Sequence, residues 1–151
     1  MLVATGIILI ILATWFFVRK GTPARKRQSL LEKARAKLTE LKKQSDNLTP
    51  ETIATRISII VRQYLETAFE DPALFETNEE FTLRPRALEK LHPDTRQPIT
   101  DHLQRLSELK YEPQDDSDTA NASAASLIDE ADKLLSLVEL HPAPLHPTPT
   151  S

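Results

Sequence analysis

An uncharged apolar run over residues 2–18 opens the chain, and Arg19 and Lys20 follow it directly. In hydrocarbon the backbone must satisfy its own hydrogen bonds, so a run of this kind crosses a bilayer as a helix. At ~1.5 Å per residue it covers roughly 26 Å, slightly less than the hydrocarbon core. Trp15 lies near the cationic end of the run, where aromatic side chains meet the headgroups. The pattern predicts a transmembrane anchor over residues 1–20.

Basic residues cluster only after this run, which by the positive-inside rule places the short N-terminus outside and the rest of the chain in the cytoplasm. The basic residues expected at the membrane interface are Arg19, Lys20, Arg25, Lys26 and Arg27. A cleaved signal peptide is the alternative. However, only the amino terminus carries positive charge before the run, and no small-residue cleavage site follows it. We therefore expect a retained, single-pass anchor.

The next segment, residues 21–47, is predicted to form a basic amphipathic stalk helix. Thr22 and Pro23 are typical of a helix start. Apolar residues then recur at spacings of three and four, at Leu30, Leu31, Ala34, Leu38 and Leu41. This narrow stripe allows three arrangements, in which the helix packs on the following domain, lies on lipid or pairs with a partner.

Residues 48–140 have the periodicity of a small helical domain. Helices are predicted over residues 50–69, 77–83, 85–92, 95–111 and 123–140. Thr49 is expected to cap the first of these, and Thr77 with Glu80 has the spacing of a capping box that turns Phe81 inward. An acidic linker is expected at about residues 114–121, and the proline-rich residues 141–151 are expected to be a disordered tail. The predicted fold class is all-α, with an anchor, a stalk and a bundle of about four to five helices.

The net charge of −3 conceals a strong asymmetry. Residues 19–43 hold ten basic and two acidic residues, a charge of +8, whereas residues 44–151 hold nine basic and twenty acidic residues, a charge of −11. A basic segment next to a bilayer attracts anionic lipid, and an acidic body is repelled from it. Nucleic-acid binding is not expected, because the basic segment adjoins the membrane and lacks aromatic residues to stack bases.

The residue types that carry common chemistries are scarce. The chain has no cysteine and only two glycines, which excludes thiolate chemistry and glycine-rich phosphate loops. The four histidines, His92, His102, His141 and His146, show no spacing typical of a metal site. We therefore expect no catalytic residues, no metal, no cofactor and no small-molecule substrate. The chain is predicted not to be an enzyme, although a site without a sequence signature remains the alternative.

Several short motifs carry a resemblance to a known family. They are Val61-Arg62-Gln63-Tyr64-Leu65, Phe69, Thr77-Asn78-Glu79-Glu80-Phe81, Leu103 with Leu106, Leu109-Lys110-Tyr111-Glu112-Pro113 and Leu137-Val138-Glu139. Over about residues 53–140 the chain resembles the helical domain of small single-pass membrane proteins from bacterial operons for MoxR-type AAA+ ATPases and von Willebrand A-domain (Bat, aerotolerance-type) proteins. Glu70 stands where that family usually has glycine, and Asn78 stands where it has a second threonine.

The resemblance implies a bacterial inner-membrane protein that acts as a non-enzymatic adaptor or scaffold. Its implied partners are a MoxR-like ATPase or von Willebrand A-domain membrane proteins. The family-motif residues are Tyr64, Thr77, Glu80, Phe81, Leu109, Lys110 and Tyr111, most of them expected to keep the fold. The alternatives are an envelope-facing structural domain and a membrane protein that associates with anionic lipid.

Overall fold

The computed structural model describes residues 23–84, 87–111 and 117–141, without the side chains of residues 23, 78, 111 and 117–124. The predicted anchor, with Trp15, Arg19 and Lys20, lies outside these residues, as do residues 142–151 of the predicted tail. Within the described residues, no helix is both long and apolar enough to cross a membrane. The elements found there are helices and turns, which confirms the all-α fold class for this part of the chain.

Helix α1 spans Pro23–Gln44 and is followed by a 3-10 turn over Ser45–Asn47. Its apolar stripe faces two later helices, Pro50–Phe69 (α2) and Ser117–Leu140 (α5). The most deeply buried residues of the stripe are Leu31, Leu38 and Leu41. Of the three arrangements expected for the basic helix, the structure shows the one in which it packs on its own domain.

Helix α2 is the central element, and its predicted bounds are confirmed. Thr49 caps its start by accepting a hydrogen bond from the Thr52 amide at 3.3 Å. The helix contacts α1, α5 and the helix Pro93–Tyr111 (α4), so nearly every turn of it is covered. It ends at Glu70, which adopts the left-handed conformation with φ 55°. Since a bulky side chain disfavours that conformation, glycine is the usual residue at such a cap.

A 3-10 turn over Pro72–Phe75 leads into the short helix α3, Asn78–Leu83. The predicted capping box is confirmed. The Glu80 amide donates to Thr77 Oγ1 at 3.2 Å, and the Thr77 amide donates to the Glu80 carboxylate at 2.8 Å. That backbone hydrogen bond also lowers the pKa of Glu80. Phe81 points inward as predicted and is only 1% exposed.

The segment between α3 and α4 differs from the prediction. Residues 87–90 form a turn instead of a helix, and Leu88 has a positive φ of 57°. Leu88 and Leu91 are nevertheless buried. Helix α4 begins at Pro93, two residues earlier than predicted, and therefore contains Pro98 in its interior.

Helix α5 also begins earlier than the sequence indicated. The backbone is helical from Ser117, so the predicted linker is wrong over residues 117–121. The buried positions of α5 are Leu127, Ile128, Ala131, Leu135 and Val138. Leu134 is only partly buried, whereas Ile128 lies in the core. The run of alanine and serine before Leu127 is compatible with a helix, because alanine has the highest helix propensity.

Candidate functional site

The basic helix α1 is joined to α5 by charged contacts. Arg35 Nε lies 2.9 Å from Asp132 Oδ1, and Arg35 also donates to Ser136 Oγ at 2.6 Å. Further along α1, Lys42 Nζ lies 2.5 Å from Asp129 Oδ1. Part of the charge asymmetry that the sequence shows is therefore neutralised inside the domain. The basic residues that remain available to a partner are those on the other faces of α1.

One such face borders an apolar groove between α1 and α2. Two adjoining cavities of about 360 and 300 Å³ form this groove, and Lys37 and Ile60 line both of them. Its apolar lining residues are Leu30, Ala34, Ala36, Leu41, Ile59, Ile60 and Tyr64. A hydrogen bond of 2.7 Å from Lys37 Nζ to Gln63 Oε1 joins its two walls. We call this feature the α1–α2 groove.

The α1–α2 groove combines an exposed apolar residue with a basic rim. Ile59 is 51% exposed, although it lies on the helix that forms the centre of the domain. Lys33, Lys37 and Arg56 line the groove together with a single carboxylate, that of Glu40. These side chains favour an occupant that carries apolar and acidic groups on one face. Ile59 lies outside the buried face of α2, and the sequence analysis did not single it out.

A second feature is the end of the domain where α1 begins. Lys26, Arg27 and Lys90 border a cavity of about 350 Å³ here, together with Glu70. Lys90 Nζ lies 3.0 Å from the Glu70 carboxylate, which lowers the pKa of Glu70. Arg25 and Lys26, both predicted membrane-interface residues, are exposed. The guanidinium of Arg27, also in that predicted set, lies 5.0 Å from the centre of the Phe69 ring.

Tyr64, the first of the predicted family-motif residues, is a core residue at this end. Its ring meets that of Phe69 edge to face, with centroids 5.9 Å apart. Burial raises the pKa of Tyr64 to about 12, and Arg27 opposes this shift. Tyr64 and Phe69 also line a cavity of about 250 Å³ that lies between the first turn of α1 and the last turn of α5.

Phe81, another motif residue, lies beside a buried arginine, Arg62, that the sequence analysis did not single out. Arg62 donates to the carbonyls of Ala73 and Glu76 at 2.7 and 2.6 Å, and its guanidinium lies 5.5 Å from the centre of the Phe81 ring. Burial lowers the pKa of Arg62, and the charge of Glu76 opposes this shift. Arg62 thereby joins α2 to the segment that leads into α3.

Two further motif residues, Leu109 and Lys110, lie in the last turns of α4. Leu109 is partly buried against the core. Burial, assisted by the nearby positive charge of Arg62, lowers the pKa of Lys110. Tyr111 is the last residue of α4, and its side chain lies outside the described residues. The capping pair Thr77 and Glu80 is exposed at the start of α3, so the motif residues whose side chains are described do not form one pocket.

Asp71 organises the connection between α2 and α4, a role that the sequence analysis missed. Its carboxylate is buried, accepts hydrogen bonds from the amides of Ala73 at 3.0 Å and Leu88 at 3.1 Å, and pairs with Arg84 at 2.6 Å. Burial disfavours the charge of Arg84, but the attraction of Asp71 and Glu76 outweighs it and raises the pKa of Arg84. The bond to the Leu88 amide supports Leu88 in its unusual backbone conformation. The sequence signal was an aspartate directly before a proline, which is typical of a capped turn.

Another residue that the sequence left without a role is His102 on α4, which is fully buried. Its Nδ1 lies 3.4 Å from Glu130 Oε2 on α5, and Arg105 pairs with the same carboxylate. Burial lowers the pKa of His102; Arg105 contributes in the same direction and Glu130 opposes it. Burial at the α4–α5 interface therefore favours the neutral imidazole.

Comparisons with protein-family models, with curated proteins and with solved structures found no match for this chain. The resemblance to the helical proteins of MoxR and von Willebrand A-domain operons accordingly stays a prediction.

Proposed function

We propose that this protein is a membrane-anchored, non-enzymatic adaptor whose helical domain binds an acidic amphipathic helix of a partner protein in the α1–α2 groove. The observation that carries the proposal is the half-exposed Ile59 in an apolar groove bordered by Lys33, Lys37 and Arg56. Apolar side chains of a helix at spacings of three and four residues would enter the groove, and its carboxylates would meet the basic rim.

In this proposal, residues 1–20 anchor the domain on the cytoplasmic side of a bacterial inner membrane, with the N-terminus outside. The charge pattern of the sequence supports this orientation. The exposed Arg25 and Lys26 in the first turn of α1 are compatible with a position next to anionic headgroups. A MoxR-like ATPase or a von Willebrand A-domain membrane protein is the partner that the motif resemblance suggests.

Site-specific photocrosslinking in native membranes tests the groove. The full chain carries a photoreactive amino acid in place of Ile59, and a matched chain carries it in place of Gln104, an exposed residue of α4. We expect a partner to crosslink from position 59 and not from position 104, and mass spectrometry should place the adduct on an acidic amphipathic helix. Equal labelling from both positions, or an adduct on a basic or non-helical segment, would contradict the proposal.

Charge substitution provides a second test. The double change Lys33→Glu and Arg56→Glu reverses the sign of the groove rim, and we expect it to reduce crosslinking from position 59 at least several-fold. Lys133→Glu is the control, because it changes an exposed basic residue of α5 that does not line the groove. An equal effect of the control would show that overall charge, and not the groove, controls binding.

A second candidate function is association with anionic lipid through the basic end of the domain. Arg25, Lys26 and Lys90 are all exposed there. In vesicle co-sedimentation, a chain without residues 1–20 should bind vesicles containing phosphatidylserine at low salt and dissociate at high salt, because exposed charges are screened. Absence of binding at low salt would remove this candidate.

A further inference from the structure

Two histidines and an aspartate meet where α4 begins and α5 ends. His92 and Asp94 flank Pro93, the first residue of α4, and His141 directly follows Leu140, the last residue of α5. The imidazole rings of His92 and His141 stack, with centroids 5.2 Å apart and planes inclined by 29°. His141 lies nearly fifty residues after His92 in the sequence, which explains why spacing alone gave no indication of this cluster.

From this geometry we propose that His92, Asp94 and His141 form a binding site for a divalent transition-metal ion of the zinc type. One potential ligand atom from each of the three residues lies within 4.8 Å of the other two. His92 Nδ1 and Asp94 Oδ2 are already 3.5 Å apart. Ligands at bond lengths of about 2.0–2.1 Å in a tetrahedral site are roughly 3.3 Å apart, so this pair needs little adjustment. The His141 ligand atom lies within 4.8 Å of the other two, so it must approach by at most about 1.5 Å to complete the set.

The position of His141 permits that adjustment. Its amide donates to the Leu137 carbonyl at 3.1 Å, so its backbone is fixed at the end of α5, and its side chain is only partly buried. The imidazole can therefore reorient without displacing core residues. On the other side, the Asp94 amide donates to His92 Nδ1 at 3.4 Å, a long hydrogen bond that a metal bond can replace at small cost.

The donor set selects the class of ion. Two imidazole nitrogens and one carboxylate suit zinc and its neighbours in the first transition row, whereas magnesium and calcium prefer oxygen ligands alone. Three protein ligands leave a fourth position for water or for a group from a partner. The partly exposed ligands place this position within reach of solvent. A bound ion would join the end of α5 to the start of α4 and so close this end of the domain.

Metal titration of the full chain in detergent, purified with a tag that contains no histidine, tests the site. We expect one Zn²⁺ or Co²⁺ per chain, with the visible absorption of Co²⁺ in a low-coordinate nitrogen and oxygen environment. His92→Ala and His141→Ala should each weaken binding at least about tenfold, because even changes to residues outside the ligand set commonly cost 10–100-fold. Unchanged affinity in the double variant would overturn the proposal.

Two controls separate this site from incidental binding by other histidines. His146→Ala removes a histidine that is not one of the three proposed ligands and should leave the affinity and the Co²⁺ spectrum unchanged. A metal-dependent rise in the melting temperature is expected for the wild-type chain and not for the chain that lacks both His92 and His141, since only an ion bound to the folded state stabilises it. Loss of binding in His146→Ala, or an equal rise in melting temperature in the double variant, would show that the ion binds elsewhere.

Discussion

Arg35 of α1 and Asp132 of α5 form a two-point ion pair, with Nε to Oδ1 at 2.9 Å and Nη2 to Oδ2 at 3.3 Å. The pair lies on the same side of the basic helix as the contact with α5, so it supports the rotation that the buried apolar stripe of α1 sets. The pair also joins a residue of the basic segment, Arg35, to a residue of the acidic segment, Asp132, so that opposite charges of the two segments lie together within the domain.

The contribution of this pair to stability should be modest and dependent on salt. Both side chains are roughly two-fifths exposed, so a double-mutant cycle with Arg35→Ala and Asp132→Ala should give a coupling free energy of about 0.5–1 kcal/mol. Urea unfolding at low and high salt measures it, and screening should reduce it. The Glu40–Lys43 contact within α1, at 3.8 Å, is the comparison and should show a smaller coupling. A larger value for that contact would contradict our interpretation.

Replacement of Glu70 by glycine should stabilise the domain. Glu70 ends α2 in the left-handed conformation, which glycine adopts without steric cost. We expect Glu70→Gly to raise the melting temperature by about 2–4 °C, even though the contact with Lys90 is lost. Glu70→Ala is the matched control, because it removes the same carboxylate but keeps a Cβ atom. If both variants melted at the same temperature, the backbone conformation would not be the cause.

Asp71 should be among the residues most sensitive to substitution. Its buried carboxylate accepts from two backbone amides and pairs with Arg84, so Asp71→Ala leaves a partly buried positive charge and two amides without this acceptor. We expect a loss of about 3–5 kcal/mol in the free energy of unfolding, measured by urea titration. Glu76→Ala removes the other carboxylate that pairs with Arg84 and should cost less, since the backbone bonds of Asp71 persist. An equal loss in both variants would contradict the assigned role of Asp71.

His102 should make stability depend on pH on the acid side of neutrality. Because its pKa is lower in the folded state than the ordinary value of 6.5, the unfolded chain binds the proton more readily. Stability is therefore retained above about pH 6.5 and declines as the pH falls toward the folded-state pKa, by at most about 1.4 kcal/mol per pH unit for one proton. Urea unfolding followed by circular dichroism at a series of pH values measures this slope.

The control for that experiment is His102→Leu, which removes the titrating group and keeps the interface filled. The difference between the wild-type and variant slopes isolates the histidine from the carboxylates that titrate at lower pH. Glu130 and Arg105 are the charged groups known to influence His102, and both remain in the variant. Parallel slopes in the two proteins would show that His102 does not carry the effect.

Local signals predicted the parts of the fold that depend on neighbouring residues. The bounds of α2 followed from Thr49, Pro50 and a regular apolar stripe, and the capping box followed from Thr77 and Glu80. Those features need only a few adjacent residues to form. The early start of α5 was missed because its first turns lack an apolar stripe, although their alanines favour a helix.

The candidate sites depended on contacts between distant residues and were correspondingly harder to predict. The backbone at Leu88 is supported by Asp71, seventeen residues away, and no local pattern indicates such a bond. Likewise, the α1–α2 groove exists because α1 packs on the domain. The sequence analysis predicted this packing only as one of three possible arrangements. From the sequence, the rim residues Lys33 and Lys37 were equally compatible with a stalk helix next to the membrane and with the rim of a groove.

The cavity that joins Ala24 and Arg27 to Val138 and Glu139 shows that the helical domain begins and ends on the same side. Domains with adjacent termini commonly tolerate insertion into a host loop and circular permutation. We therefore expect that the whole helical domain can be inserted into a loop of a carrier protein, with the start of α1 and the end of α5 joined to two neighbouring residues of that loop. For the same reason, a reporter fused shortly after Leu140 will lie beside the start of α1. A fluorophore pair at these two positions would therefore report whether α1 is packed against α5.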